Sequence, residues 1–425
     1  MVLSSNRLYG AAPDGGSVNA GTIFAINSDG SDFANLRNFT SGGVRPYGRL
    51  VLSGNTLYGV TSQNSFTSGP GKIFRMNIDG SSYTILRHFV PLMNSTNSDG
   101  STPLAGLVLA GERLYGTTVA GGTAGSGTIF SLNTNGTTFT NLHNFPALLN
   151  STNSEGAVPY GGLIVSGNWL YGTATDGGES GNGTVFAMQT NGSNFMVLHH
   201  FASSANSTNS DGAHPQGVLI ESAGVLYVTT TGGGSSAAGT LFALNIDGTG
   251  FTNLHHFSGL SGNTNSDGAR PVAGLLLSGS TLYGTATGGG SVGAGTVFSL
   301  QNDGSGFTTL YDFTGVGDGS SPSSDLALSD NVLYGTTLYG GGDNNGTVFS
   351  LTLPASSAPK LTIAYSGVDV VISWATNFTG FTLENSTNLN TNVWSIVSPV
   401  PVVSGTNNVV TNTVSGAKRF YRLRQ

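Results

Sequence analysis

The chain has 425 residues, of which only 8% are charged, with a net charge of −7 and no cysteine. Lacking cysteine, it has no disulfides, thiolate nucleophiles or Cys-held metals, and without any run of Lys and Arg it offers no footprint for nucleic acid or an anionic membrane. No stretch approaches the roughly 18 consecutive apolar residues that a spanning helix needs.

The chain opens inside a repeat. Met1-Val-Leu-Ser-Ser-Asn-Arg-Leu-Tyr-Gly10 matches Leu50-Val-Leu-Ser-Gly-Asn-Thr-Leu-Tyr-Gly59, so the chain as given carries no signal peptide and reads as a fragment or a mature form. Leu-Tyr pairs recur at Leu8, Leu57, Leu114, Leu170, Leu226, Leu282 and Leu333, and the four from Leu114 to Leu282 are each 56 residues apart. Gly-Thr-(Ile/Val/Leu)-Phe keeps the same register at Gly21, Gly127, Gly183, Gly239, Gly295 and Gly346, with Gly71-Lys-Ile-Phe as a variant. A Gly-punctuated, all-β period of roughly 50 residues predicts the blades of a propeller.

Each repeat parses into four strands. Strand A is a short apolar run (Leu107-Val-Leu109, Leu163-Ile-Val165, Leu275-Leu-Leu277), as suits a sheet covered on both faces. Strand B is Leu-Tyr-Gly-Thr, followed by a Gly-rich loop such as Ala120-Gly-Gly-Thr-Ala-Gly125. Strand C is Gly-Thr-Val-Phe. It ends in Asn-x-Asp/Asn-Gly, a hairpin signal because the glycine supplies positive φ. Strand D is Phe-Thr-x-Leu-His/Arg-x-Phe, and a long connection returns to the next strand A. The long B–C and D–A loops share one face, where binding sites concentrate. The seventh repeat, from Asp325 to Pro354, shows no strand D, which predicts a three-stranded last blade or closure by the segment after Pro354.

The predicted fold is therefore an all-β, seven-bladed β-propeller over residues 1–354, a linker at 355–359, and a small β-sandwich over 360–425. The last rests on six short alternating strands, with Trp374, Trp394 and Tyr421 as its expected core aromatics.

Internal repetition separates scaffold from candidate site. His143, His199 and His255 share one repeat position, with His88, His200 and His256 just after it. Equivalent positions on adjacent blades lie on the order of 15–20 Å apart, whereas zinc ligands converge to about 2 Å from one ion, so these histidines read as structural. Ser95-Thr-Asn-Ser-Asp-Gly100 and its three copies faintly resemble the front of a calcium loop. Each offers one carboxylate, however, and an Asx-type turn is the favoured reading, with no cofactor expected and calcium as the alternative. Residues that break the repeat on the loop face are the candidate ligand-binding set: Tyr47, Arg49, Tyr160, His214, Gln216, Arg270 and Asp325. Arg45, Phe66, Asp176, Glu179, Tyr339 and Asp343 lie in the same loops. Aromatic rings mixed with Arg, Gln and Asp around a central mouth suit a hydroxyl-rich ligand such as a glycan.

The Leu-Tyr-Gly, Gly-Thr-(Val/Ile)-Phe and Asn-x-Asp-Gly sequence resembles the GloVer-type tandem repeat of bacterial surface and secreted proteins, found particularly in Verrucomicrobia. Its strand order also resembles kelch repeats. The tail, with Ile372-Ser-Trp374, Phe381-Thr-Leu383 and Arg419-Phe-Tyr-Arg-Leu-Arg424, is similar to the fibronectin-like C-terminal sandwiches of such proteins. The resemblance implies a propeller and export to the cell surface or beyond; it implies no catalytic residue. Lys72 and Val228 depart from the pattern.

The leading expectation is an exported binding or interaction protein, with a polysaccharide or another surface protein as partner. One alternative is a carbohydrate-active enzyme at the same mouth: a lyase through Tyr160, His214 and Arg270, or a glycosidase pairing Asp325 with Asp343 or Asp14. A second is a structural component of the envelope or matrix. No spacing motif for either enzyme is present.

Overall fold

The computed structural model describes residues 1–40, 44–63, 71–354, 361–366, 369–375, 381–387, 393–405, 407–413 and 419–424. Phe66 and the linker at 355–359 lie outside the described residues. The chain divides into a large unit (Met1–Leu277 with Leu282–Leu351) and a small one (Ser278–Thr281 with Thr352–Gln425). All regular structure among the described residues is β-strand.

In the large unit each repeat builds one antiparallel sheet. The fourth is representative: Ile164–Ser166, Trp169–Ala174, Thr184–Gln189 and Met196–His200 lie side by side in chain order as strands A to D. Strands B and C are buried along nearly their whole length, because neighbouring sheets cover both faces. The C–D turn closes as the motif predicts. In the second repeat the Gly80 N–H donates to Asn77 O (2.9 Å), and Asp79 accepts the Ser81 N–H (2.9 Å). One feature escapes the periodicity: each described C–D pair carries a bulge at the residue before the strand C phenylalanine, as between Val185 and Phe186.

Successive sheets are joined by three phenylalanines. The Phe that ends strand D meets the strand C Phe of the next sheet edge-on, and the Phe that opens the next strand D stacks on that same ring. For Phe201, Phe242 and Phe251 the centroids are 5.4 Å apart at 70° and 5.0 Å apart at 30°. The last sheet meets the first through a cluster of Met1, Leu8, Phe24 and Tyr334. This is a β-propeller-like fold.

A second device recurs at four junctions. The residue before strand A's proline adopts positive φ (Val158, His214, Arg270, Ser321), and its N–H donates back to the preceding sheet. The His214 N–H, for example, bonds Asn182 O (2.9 Å), and the Arg270 N–H bonds Ala238 O (2.9 Å). The proline itself packs onto the glycine of Gly-Thr-x-Phe; a Cβ on Gly183 would lie 2.8 Å from Pro215 Cδ. The D–A connection also supplies an extra extended segment before strand A, at Ala213–Pro215 and Ser320–Pro322, which pairs with the extended end of strand B. The sequence reading of four strands per repeat misses this fifth piece.

The small unit holds two sheets. One orders Thr362–Ser366, Asp369–Ala375, Asn407–Thr413 and Val402–Ser404; the other places Thr382–Ser386 between Ser395–Ile396 and Phe420–Arg424. Ile372, Trp374, Leu383, Val397 and Val410 form its core, with Tyr421 packed against them. Trp394 departs from expectation. It is half-buried beneath the Arg422 guanidinium, 4.1 Å from the ring centroid, instead of joining the core. Arg422 also pairs with the buried Glu384 at 2.8 Å. Val402–Ser404 is a strand the sequence reading does not include.

Candidate functional site

The loop face is assembled from the repeats' polar residues. In the fifth repeat Asn209 Nδ2 donates to Ala202 O (3.0 Å) and Gly212 O (2.7 Å), while its Oδ1 accepts the Gly212 and Gly234 N–H groups (both 2.8 Å). One amide thus fastens the D–A connection to the B–C loop, as Asn97, Asn153 and Asn265 do in their repeats. The Asx-type turn expected here is made by this asparagine.

The carboxylate two residues on has another task. Asp211 accepts from His199 Nε2 (2.9 Å) and from the Ala202 N–H (3.1 Å). The His199 ring lies flat on Phe251 of the next repeat, with centroids 4.1 Å apart. His143 with Glu155 and His255 with Asp267 repeat the arrangement, and Arg87 with Asp99 substitutes a guanidinium. The carboxylates that suggested a calcium loop are therefore engaged by histidine or arginine, and Asp99, Asp211 and Asp267 also by a backbone N–H. Among the described residues no three His, Asp or Glu side chains converge as a metal site would require.

These pairs set an acid limit on stability. Burial pushes the Asp267 carboxyl up, but hydrogen bonds from His255 and Ser258 outweigh it and hold the group below its ordinary 3.8. Burial holds His143 below its ordinary 6.5, with Glu155 opposing in part. Both folded values are depressed, so both contributions are complete above the unfolded values and disappear as pH falls. Urea midpoints measured from about pH 8 down to about pH 3 should decline first below 6.5 and again below 3.8.

The seven candidate residues fall into two groups. The inner group lies at the strand A entrances, which touch through their backbones: a Cβ on Gly106 would meet Arg49 O at 2.7 Å, and one on Gly217 would meet Ala273 O at 2.7 Å. Small residues recur there because adjacent entrances leave no room for side chains. Tyr160 lies within electrostatic reach of Tyr47 although one full repeat separates theirs; burial, and then Tyr47, raise the Tyr160 hydroxyl above its ordinary value. Asp325 Oδ1 accepts the Gly274 N–H at 2.7 Å, so this carboxylate also joins two repeats. Asp325 and Arg49 both act electrostatically on the Met1 amino group, whose pKa is lowered chiefly by burial. Arg49 is exposed and Gln216 half-buried.

The outer group, His214 and Arg270, occupies the positive-φ position before proline. His214 Nδ1 lies 3.1 Å from Thr175 O and 3.3 Å from Asp176 Oδ1, and the hydrogen bond to Asp176 raises its pKa despite partial burial. The ring borders a cavity of about 270 Å³ lined also by Asn182, Ser204, Ser207 and Ala237. Arg45 pairs with Asp14 in the same way. Arg270 is exposed and forms no ion pair among the described residues; the fifth repeat carries Gly232 where the fourth carries Asp176. Among the described residues no hydrogen bond or ion pair links the two groups: one lies at the strand A entrances and the other at the clasp positions before proline. The pairing of Asp14 with Arg45, and of Asp176 with His214, was a signal available in the loops. Glu179, Tyr339 and Asp343 are exposed.

The fold and loop face define a tandem-repeat β-propeller-like protein. The chain belongs to the Gloeobacter/Verrucomicrobia repeat family, whose profile matches residues 1–145, 90–265 and 204–394. No curated protein matches it. Solved structures with a similar backbone include the periplasmic gluconolactonase of Pseudomonas aeruginosa (15% identity, 82% of this chain and 96% of that one, TM-score 0.48). Others are an oligogalacturonate lyase from Vibrio parahaemolyticus (9%, 83% and 87%, 0.47) and a chain of a nidogen/laminin complex (14%, 76% and 98%, 0.45). Among the described residues no helix is long and apolar enough to cross a membrane.

Proposed function

We propose that this chain is a seven-bladed β-propeller carrying a C-terminal β-sandwich, exported to the bacterial surface or beyond. It binds a carbohydrate through the inner ring of strand A entrances. One observation carries the binding reading: the repeated histidines and carboxylates of the loop face are consumed by structural pairs. The groups left over at the inner entrances are two tyrosines, an exposed guanidinium and a glutamine. Tyrosine faces and planar polar side chains suit sugar rings and their hydroxyls. Electrophoresis of the intact protein through gels cast with plant, algal and microbial polysaccharides tests it. Retardation in at least one gel is expected, and Tyr47→Ala with Tyr160→Ala should abolish it. Uniform migration in all gels would sink the carbohydrate reading.

A second reading rests on His214. Its ring, oriented by Asp176 beside a cavity lined with serines, could serve a carbohydrate-active enzyme as an acid or base. Release of new reducing or unsaturated ends from a retained polysaccharide, lost in His214→Ala, would select it over binding alone.

A further inference from the structure

Six sheets of the large unit have a strand D. Among the described residues, no strand pairs with the outer edge of Val348–Thr352 in the seventh. The six filled seats define what the empty one takes. Val348 is 37% exposed, whereas Ile23, Ile73, Ile129, Val185, Leu241 and Val297, at the same position, are all at 0%. Tyr311 is 38% exposed. Its counterpart His255 is covered by the Phe opening the next strand D, with centroids 3.7 Å apart. A groove of about 350 Å³ lies there, lined by Tyr311, Phe313, Asp318, Val348 and Phe349.

The other flank of the seat is bare as well. Phe33 is 58% exposed, while its counterparts Tyr83 and Phe139 lie under Arg37 and Arg87 of the preceding strand D, at 3.5 and 4.2 Å. Phe24 stacks on Phe33 but, among the described residues, has no edge-on ring of the kind Phe201 gives Phe242. One absent strand accounts for all three exposures and for the missing edge-on ring.

We propose that the outer edge of the seventh sheet accepts an extended strand from a partner polypeptide with the pattern aromatic-Thr-x-Leu-(His or Arg)-x-Phe. The first ring enters the groove between Tyr311 and Phe349. The His or Arg covers Phe33, and the last Phe meets Phe24 edge-on. Backbone pairing along Val348–Thr352 supplies affinity, and the three side-chain seats supply selectivity, as in strand addition to other open sheet edges. This inference is independent of the glycan reading, since the strand edge and the strand A entrances share no residue.

The test titrates the intact protein into a fluorescein-labelled peptide copying residues 250–258, with anisotropy as the readout. Hydrogen exchange at residues 348–352 is followed with and without the peptide. Saturable binding is expected, weakened roughly tenfold or more by Phe33→Ala combined with Tyr311→Ala. Exchange along that strand should slow. Both replaced side chains are more than a third exposed, so the variant keeps its fold. Absence of binding, equal binding of a scrambled peptide, or unchanged exchange at 348–352 would overturn the proposal.

Discussion

Replacing Gly183 with alanine is expected to destabilise the large unit by about 3 kcal/mol or more, read as a fall in the urea midpoint. Two penalties combine. The residue sits at φ +97°, beyond the left-handed region that an L side chain tolerates. A Cβ there would also lie 2.7 Å from Thr175 O and 2.8 Å from Pro215 Cδ, with Ala174 O closer still. Relief would require lifting the next repeat's proline away, and with it the His214 N–H bond to Asn182 O. Gly111→Ala is the control. Its φ is +59° and nothing stands within 4 Å of the added methyl, so its cost should be about 1 kcal/mol. Equal losses in the two variants would show that the glycine serves only its own turn and that the proline clasp does not hold neighbouring repeats.

That clasp marks the limit of what the sequence discloses. Strand identity and order follow from spacing, because Leu-Tyr-Gly and Gly-Thr-x-Phe repeat the large apolar residues that a doubly covered sheet buries, with only the threonine as a buried polar position. The seventh repeat's lack of a Phe-Thr-x-Leu segment was legible too, and left open a three-stranded sheet or closure by the segment after Pro354; among the described residues no strand pairs with the outer edge of Val348–Thr352. What joins one repeat to the next was not. Gly183 and Pro215 lie in different repeats, and nothing local to either says that they touch. His199 and Asp211 belong to motifs that were read separately, one as a strand position and the other as a turn, although their ring and carboxylate meet at 2.9 Å.

The candidate site was less legible for the same reason. Breaking the repeat marks a residue as unusual, but it does not say which unusual residues converge. Tyr160 is in electrostatic reach of Tyr47 across an intervening repeat, which neither local sequence discloses. His214 and Arg270 break the pattern at a backbone position whose N–H fastens adjacent sheets, so their side chains stand on a structural hinge point of the chain. Asp325, a ligand-binding candidate from the sequence, accepts a neighbouring repeat's backbone N–H.

Phe201→Ala should cost about 3–5 kcal/mol, the range for removing a fully buried aromatic ring. Phe201 is 1% exposed and packs edge-on against Phe242 and His199, at 5.4 and 4.9 Å. Its loss would leave a cavity between two sheets and free the His199 ring from one of its two aromatic contacts, and neither the backbone nor the Asn209 amide can close the gap. The same substitution at Phe33, which is 58% exposed, should change the urea midpoint by less than about 1 kcal/mol, because its outer face has no neighbour to lose. The contrast follows from position: the two rings serve equivalent interfaces, but Phe33 faces the sheet without a strand D. A saturating strand peptide should raise the cost of Phe33→Ala while leaving Phe201→Ala unchanged. If instead both substitutions cost several kcal/mol in the free protein, the seventh seat is already filled in solution.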